Sequence, residues 1–218
     1  MSTYRLVLVP GIITAAVTLL RLVGELNHWS RALFNPDAGG GMALVGIAWL
    51  VPIFGIYFAM KLHGSGQTGN GWHAVGYSAL AIAAFAAVSF GVPAILGLDP
   101  NQPTIAALLI LVAASLIALA IAYYRTGALG RVLFAYGLAA RIPVILVMLL
   151  AILGNWGTHY DVLPPGVVLE MSPWAKWFLI GVVPQLTLWM AFTVAVGALF
   201  GGLALVVAER RQTAVRTA

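Results

Sequence analysis

The sequence predicts an all-α, polytopic membrane bundle of six transmembrane helices, and three observations carry that prediction. Of 218 residues, 62% are hydrophobic and 8% are charged, against roughly 25% charged in an average soluble domain. Six apolar stretches, none holding more than one charged side chain, are long enough at about 1.5 Å per residue to cross a hydrocarbon core of roughly 30 Å. Stop signals close them: Lys61, Asp99-Pro100, Arg125 and Asn155 each follow an apolar run, as helix ends require.

The first span is expected over 6–24. Arg5 ahead of it resembles a signal-peptide n-region, but no small-x-small cleavage site follows before Arg21 and Glu25, so the segment reads as a retained helix. Further spans are expected over 42–60, 74–98, 104–124 and 132–154. The last apolar stretch, 173–208, is too long for one crossing even when tilted. It divides into a short outer interfacial helix around Trp174, Lys176 and Trp177 and a sixth span over 184–208, with Pro173 at a first helical position behind a Ser172 cap.

Charge sets the orientation. With both termini inside, Arg5, Lys61, Arg125, Arg131, Arg210, Arg211 and Arg216 collect on the inner face, and Arg21, Arg31 and Lys176 lie outside. That is the bias of a bacterial-type plasma (inner) membrane protein with N-in, C-in topology. The net charge of +5 is accounted for by this rule, so no nucleic-acid partner is expected. Aromatic belts support the same boundaries, Trp29, Trp156, Tyr160, Trp174 and Trp177 outside and Tyr4, Tyr57, Trp72, Tyr77, Tyr123 and Tyr124 inside. Trp49 and Trp189 fit neither belt and are expected inside the bundle.

Several chemistries are excluded or disfavoured. The chain has no cysteine, which removes disulfides, thiolate metal sites, iron-sulfur clusters and cysteine nucleophiles together. The glycines of 62–73 suggest a phosphate-binding loop, but no lysine precedes Thr68 and no strand leads in, so the segment reads as a flexible linker. His63 and His73 flank that linker and not a span interior, which disfavours bis-His haem ligation. No cofactor is named by any motif.

Two groups of candidate site residues remain. Arg141 sits near the middle of the fifth span, where an arginine costs about 2.5–3.5 kcal/mol to insert, so it must face protein, water or a ligand. Gln185, Tyr136, Trp49 and Trp189 are its expected neighbours in a ligand site, the two indoles through cation–π contact. In the outer loops Glu25 and His28 share a helix face, and His159-x-Asp161 could complete a mixed His/carboxylate metal site. The alternative for Glu25 is an i,i+4 pair with Arg21.

Prolines follow a branched aliphatic residue in five spans, at Pro10, Pro52, Pro93, Pro143 and Pro184. Pro52 and Pro143 are read as central kinks and the others as start or stop residues. Residues 46–52 weakly match 137–143, which raises a 3+3 inverted repeat of the kind found in transporters. Ala114, Ala118 and Ala122, and Gly197 and Gly201, form small-residue faces suited to helix contact within the chain, to other membrane subunits or to a homo-oligomer.

Three functions are weighed. An accessory or cofactor/lipid-holding subunit of a larger membrane complex suits the small-residue faces and the lack of a complete site. A small transporter or permease-like bundle suits the prolines and Arg141. A membrane enzyme would use the outward-facing His/carboxylate group.

Overall fold

The computed structural model describes residues 2–40, 43–99, 104–163 and 170–217, with side chains to Gln212, and among these every regular element is helical. The main elements are α1 (Thr3–Leu26), α2 (Leu50–Gly64), α3 (Gly71–Ile95), α4 (Ile105–Arg125), α5 (Ala128–Gly154) and α6 (Pro173–Gln212). All except α2 are long and apolar enough to cross a membrane. Three of their starts carry side-chain caps, Ser172 as the sequence suggests and Asn70 and Thr104 besides: they accept from the backbone N–H of Ala175 (3.3 Å), His73 (3.0 Å) and Ala107 (3.1 Å), satisfying donors that open a helix.

The long last helix is the axis of the bundle. It packs against α2, α3, α4 and α5, and α1 lies on the far side of α5. Small residues make this approach close. A Cβ on Gly55 of α2 would collide with the carbonyl oxygen of Gly197 and stand 2.8 Å from its Cα, and one on Gly201 would stand 3.1 Å from the Ala59 Cβ. Ala114, Ala118 and Ala122 are likewise buried inside the chain, at no more than 2% exposure. The small-residue faces thus pack within the chain. The shared core is Leu6, Phe54, Phe58, Leu133, Tyr136, Val194 and Ala198 with their neighbours.

Polar groups separate toward two ends. At one, the Gly71 N–H donates to Glu209 Oε1 (3.0 Å), Gln212 bonds His63 (2.8 Å), Arg125 donates to the Tyr77 hydroxyl, and Arg210 lies over the Trp72 ring. At the other lie Arg21, Glu25, His159 and Asp161. These are termed the Arg210 end and the Glu25 end.

The structure corrects the expected elements at four places. The span expected over 42–60 is helical only from Leu50, and residues 43–49 run in bends and turns. Pro52 is the cause: its ring excludes a helical carbonyl four residues back and it has no N–H to give, so it is tolerated in the first turn and the helix begins there. Pro10 and Pro184 are not terminal: Pro10 lies inside α1 and Pro184 follows the π-helical turn Trp177–Val182 inside α6, whereas Pro93 falls in the last turn of α3, behind the π-helical turn Ala87–Gly91, a widening that accommodates a proline ring. The separate interfacial helix is absent, because α6 continues through that π turn and breaks instead at Thr187 (φ −114°, ψ −80°). Residues 46–52 and 137–143 also differ, bends and a helix start against unbroken helix, so their sequence match has no structural counterpart.

Candidate functional site

A cavity of about 620 Å³ lies between α1, α5, the start of α6 and the irregular stretch 43–49. The volume is in the range of small-molecule sites. Ala43, Gly46, Ile47, Ala48 and Trp49, all in the irregular stretch, line this cavity.

Arg141, on the central turns of α5, lines the cavity with only 2% exposure. Its Nη2 donates to Thr193 Oγ1 at 3.1 Å, and its guanidinium carbon stands 5.0 Å from the Trp189 ring centroid. Thr193 has already given its own hydrogen to the Trp189 carbonyl (2.7 Å), so its oxygen is an acceptor only. The Nε of Arg141 has no partner among the described residues, and no carboxylate there pairs with the guanidinium. Such an arginine retains a full charge without a counter-ion, an arrangement costly in a low-dielectric interior. Gln185 lines the same cavity at 8% exposure; among the described residues its Oε1 accepts nothing and its Nε2 meets only the Met148 sulfur at 4.0 Å.

Toward the Arg210 end the core is closed. The Tyr136 ring lies 5.3 Å from Phe54 and 5.4 Å from Phe58, and its hydroxyl bonds Thr14 at 2.9 Å. Tyr136 therefore belongs to this aromatic layer and does not line the cavity.

Toward the Glu25 end the lining includes Arg21, His159 and Tyr160. Arg21 Nε donates to Glu25 Oε1 (2.8 Å), and its Nη2 donates to the carbonyls of Asn35 (3.2 Å) and Gly40 (3.0 Å). Glu25 is 3% exposed. It also accepts from His159 Nδ1 at Oε1 (2.6 Å) and from the His159 backbone N–H at Oε2 (3.0 Å). One carboxylate thus ties the end of α1 to residues 35–40 and to the segment after α5. Asp161 shapes that segment by accepting from the N–H groups of Gly157 (3.0 Å) and Thr158 (2.8 Å) and from the Thr158 hydroxyl (2.7 Å). The buried Tyr160 hydroxyl donates to the Thr18 carbonyl at 3.2 Å, so Tyr160 is a packing residue and not part of an aromatic belt.

Of the four ligand candidates besides Arg141, the structure brings Gln185, Trp49 and Trp189 to the cavity and leaves Tyr136 behind it. Trp49 stands at the perimeter, 63% exposed, where a bundle-internal indole was expected. Of the metal candidates, Glu25 and His159 meet, Asp161 is engaged in its own turn, and His28 is an exposed residue at φ 51° just past α1. Among the described residues no group of three or more histidines and carboxylates could hold a metal ion. Sequence reasoning missed Thr193 as the Arg141 acceptor and Arg21 as a cavity residue. The i,i+4 stripe Gln185, Trp189, Thr193 was the available signal for the first.

Burial pushes the His159 imidazole below its ordinary value, outweighing the hydrogen bond to Glu25 that raises it. The ring is then neutral, with Nδ1–H donating to the carboxylate. The unfolded chain takes up the proton near pH 6.5 and the folded chain only at lower pH, so stability is full above that value and declines as pH falls through it. Melting temperature is expected to drop between pH 7.5 and pH 5.5 in the wild type, and to drop less in His159→Gln; equal slopes would refute this.

Among the described residues, the fold and the site together define an all-helical architecture with five helices long and apolar enough to cross a membrane and a cavity holding a buried arginine that no carboxylate pairs. No family model, curated protein or solved structure matches the chain.

Proposed function

We propose that the protein is an integral membrane protein that holds a lipid or lipid-like cofactor in the Arg141 cavity, acting as an accessory subunit of a larger membrane complex. The observation that carries this reading is the unpaired Arg141 Nε at a mainly apolar cavity. A guanidinium deprived of water and of a counter-ion is stabilised by a bound polar group, and apolar walls favour a ligand with hydrocarbon attached. The excess of basic residues at the Arg210 end supports N-in, C-in placement in a bacterial-type plasma membrane.

Native mass spectrometry on gently extracted protein tests it. A small mass retained by the wild type and lost in Arg141→Met is expected, together with stoichiometric companion polypeptides. A bare wild-type chain that is functionally complete would contradict the subunit role.

A small transporter is the second reading, favoured by one observation: the non-helical stretch 43–49 and the break at Thr187 both adjoin the cavity, and interrupted helices beside a midplane site are a transporter feature. In proteoliposomes Arg141→Ala would abolish flux of the retained ligand while the protein still inserts, and unchanged flux would count against transport. The enzyme alternative gains nothing, because Glu25 and His159 are engaged with each other and no third ligand among the described residues joins them.

A further inference from the structure

We infer that the cavity's ligand is a single-chain amphiphile carrying one carboxylate or phosphate, with that anion on Arg141 and its hydrocarbon along Val144, Met148 and Ile180; this rests on the ligand-holding reading above. Three observations lead there. The cavity offers one unbalanced charge. Arg21 is neutralised by Glu25 and also bonded to two carbonyls, so it has little left to offer a ligand, whereas Arg141 has no carboxylate among the described residues and an unused Nε. A neutral acceptor, such as a quinone oxygen or an ester, would satisfy the hydrogen bond and leave the charge unpaired; an anion satisfies both.

The second observation is the walls. Val17, Val144, Met148, Leu179 and Ile180 line the cavity together with Arg141, and a small hydrated anion would leave those surfaces facing water. An attached chain covers them. The third is size. A cavity of about 620 Å³, open on one side, suits a ligand of ordinary small-molecule dimensions and has room for one hydrocarbon chain. The guanidinium carbon stands 5.0 Å from the Trp189 ring centroid, and the guanidinium is the charged group of Arg141 that an anion in the cavity would meet.

The test is equilibrium binding to delipidated, detergent-purified full chain, using dodecanoate, methyl dodecanoate, acetate and inorganic phosphate as probes. Dodecanoate is expected to bind about 10- to 100-fold tighter than its ester, the value of a charge-assisted over a neutral bond, and acetate and phosphate far more weakly than dodecanoate. Arg141→Met should bring acid and ester within about threefold of one another, Arg141→Lys should keep the preference, and Ile180→Trp should exclude both. Acid and ester binding equally to wild type, both excluded by Ile180→Trp, would overturn the anionic ligand and leave the cavity reading standing. Phosphate binding as tightly as dodecanoate would overturn the amphiphile in favour of a free anion. No binding of any probe to wild type would overturn this inference, and a bare wild type in the mass spectrum would then remove the ligand-holding reading as well.

Discussion

Gly55→Ala is expected to destabilise the bundle by about 3 kcal/mol, the upper part of the range for overpacking a well-filled interior. The added methyl meets backbone: the Gly197 carbonyl, with the Gly197 Cα 2.8 Å from the new carbon. A flexible side chain could turn aside, but two helix backbones can only move apart. That movement would loosen the packing of Phe54, Phe58, Leu133 and Val194 around the same crossing. Gly76→Ala is the control, because a Cβ there meets nothing within 4 Å. Relief of glycine's backbone freedom should make it neutral or more stable by about 0.5–1 kcal/mol. Thermal unfolding in one detergent measures both, and a Gly55→Ala protein as stable as wild type would mean that α2 and α6 do not cross there.

Glu25→Ala is the second large effect, expected at about 3–5 kcal/mol, as when one member of a buried ion pair is removed. The carboxylate receives three bonds, from Arg21 Nε, His159 Nδ1 and the His159 backbone N–H. Its loss leaves the Arg21 charge, the imidazole and a backbone N–H without their acceptor, and separates the end of α1 from the segment holding Tyr160. Glu25→Gln should cost less, since an amide oxygen in the Oε1 position retains two of the three bonds. The coupling between Glu25→Ala and His159→Ala, taken from a double-mutant cycle, should be 0.5–3 kcal/mol and favourable. A coupling near zero would show that the two residues do not meet.

Long helices were legible in the sequence because burial in lipid and burial in protein both demand apolar residues. Every long span was therefore visible, four of the five with ends within a few residues of those observed and the last starting at Pro173, well before the expected 184. That same uniformity hid where a helix stops. Apolar residues 43–49 look like helix by composition, and only the chemistry of Pro52, read as a first-turn residue and not a kink, marks the true start of α2. The π turns before Pro93 and Pro184 follow from the same proline chemistry, but no composition signal distinguishes them from a stop.

The site was legible in one part. Arg141 stood out because a mid-span arginine needs a reason, and Gln185, Trp49 and Trp189 share its cavity. Glu25 and His159 were identifiable as polar residues at one end, but their hydrogen bond joins elements 134 positions apart, a tertiary contact that local spacing does not encode. Tyr136 looked equivalent to the indoles in sequence. It differs by facing Thr14, Phe54 and Phe58, a matter of which side of α5 meets α1 and α2.

An experimental density map of the protein extracted with its surrounding lipid is the most direct measurement. The expected result is elongated density in the cavity beside Val144, Met148 and Ile180, with one end within hydrogen-bonding distance of Arg141 Nε. A guanidinium fully paired with protein groups, next to a cavity closed by side chains, would contradict it.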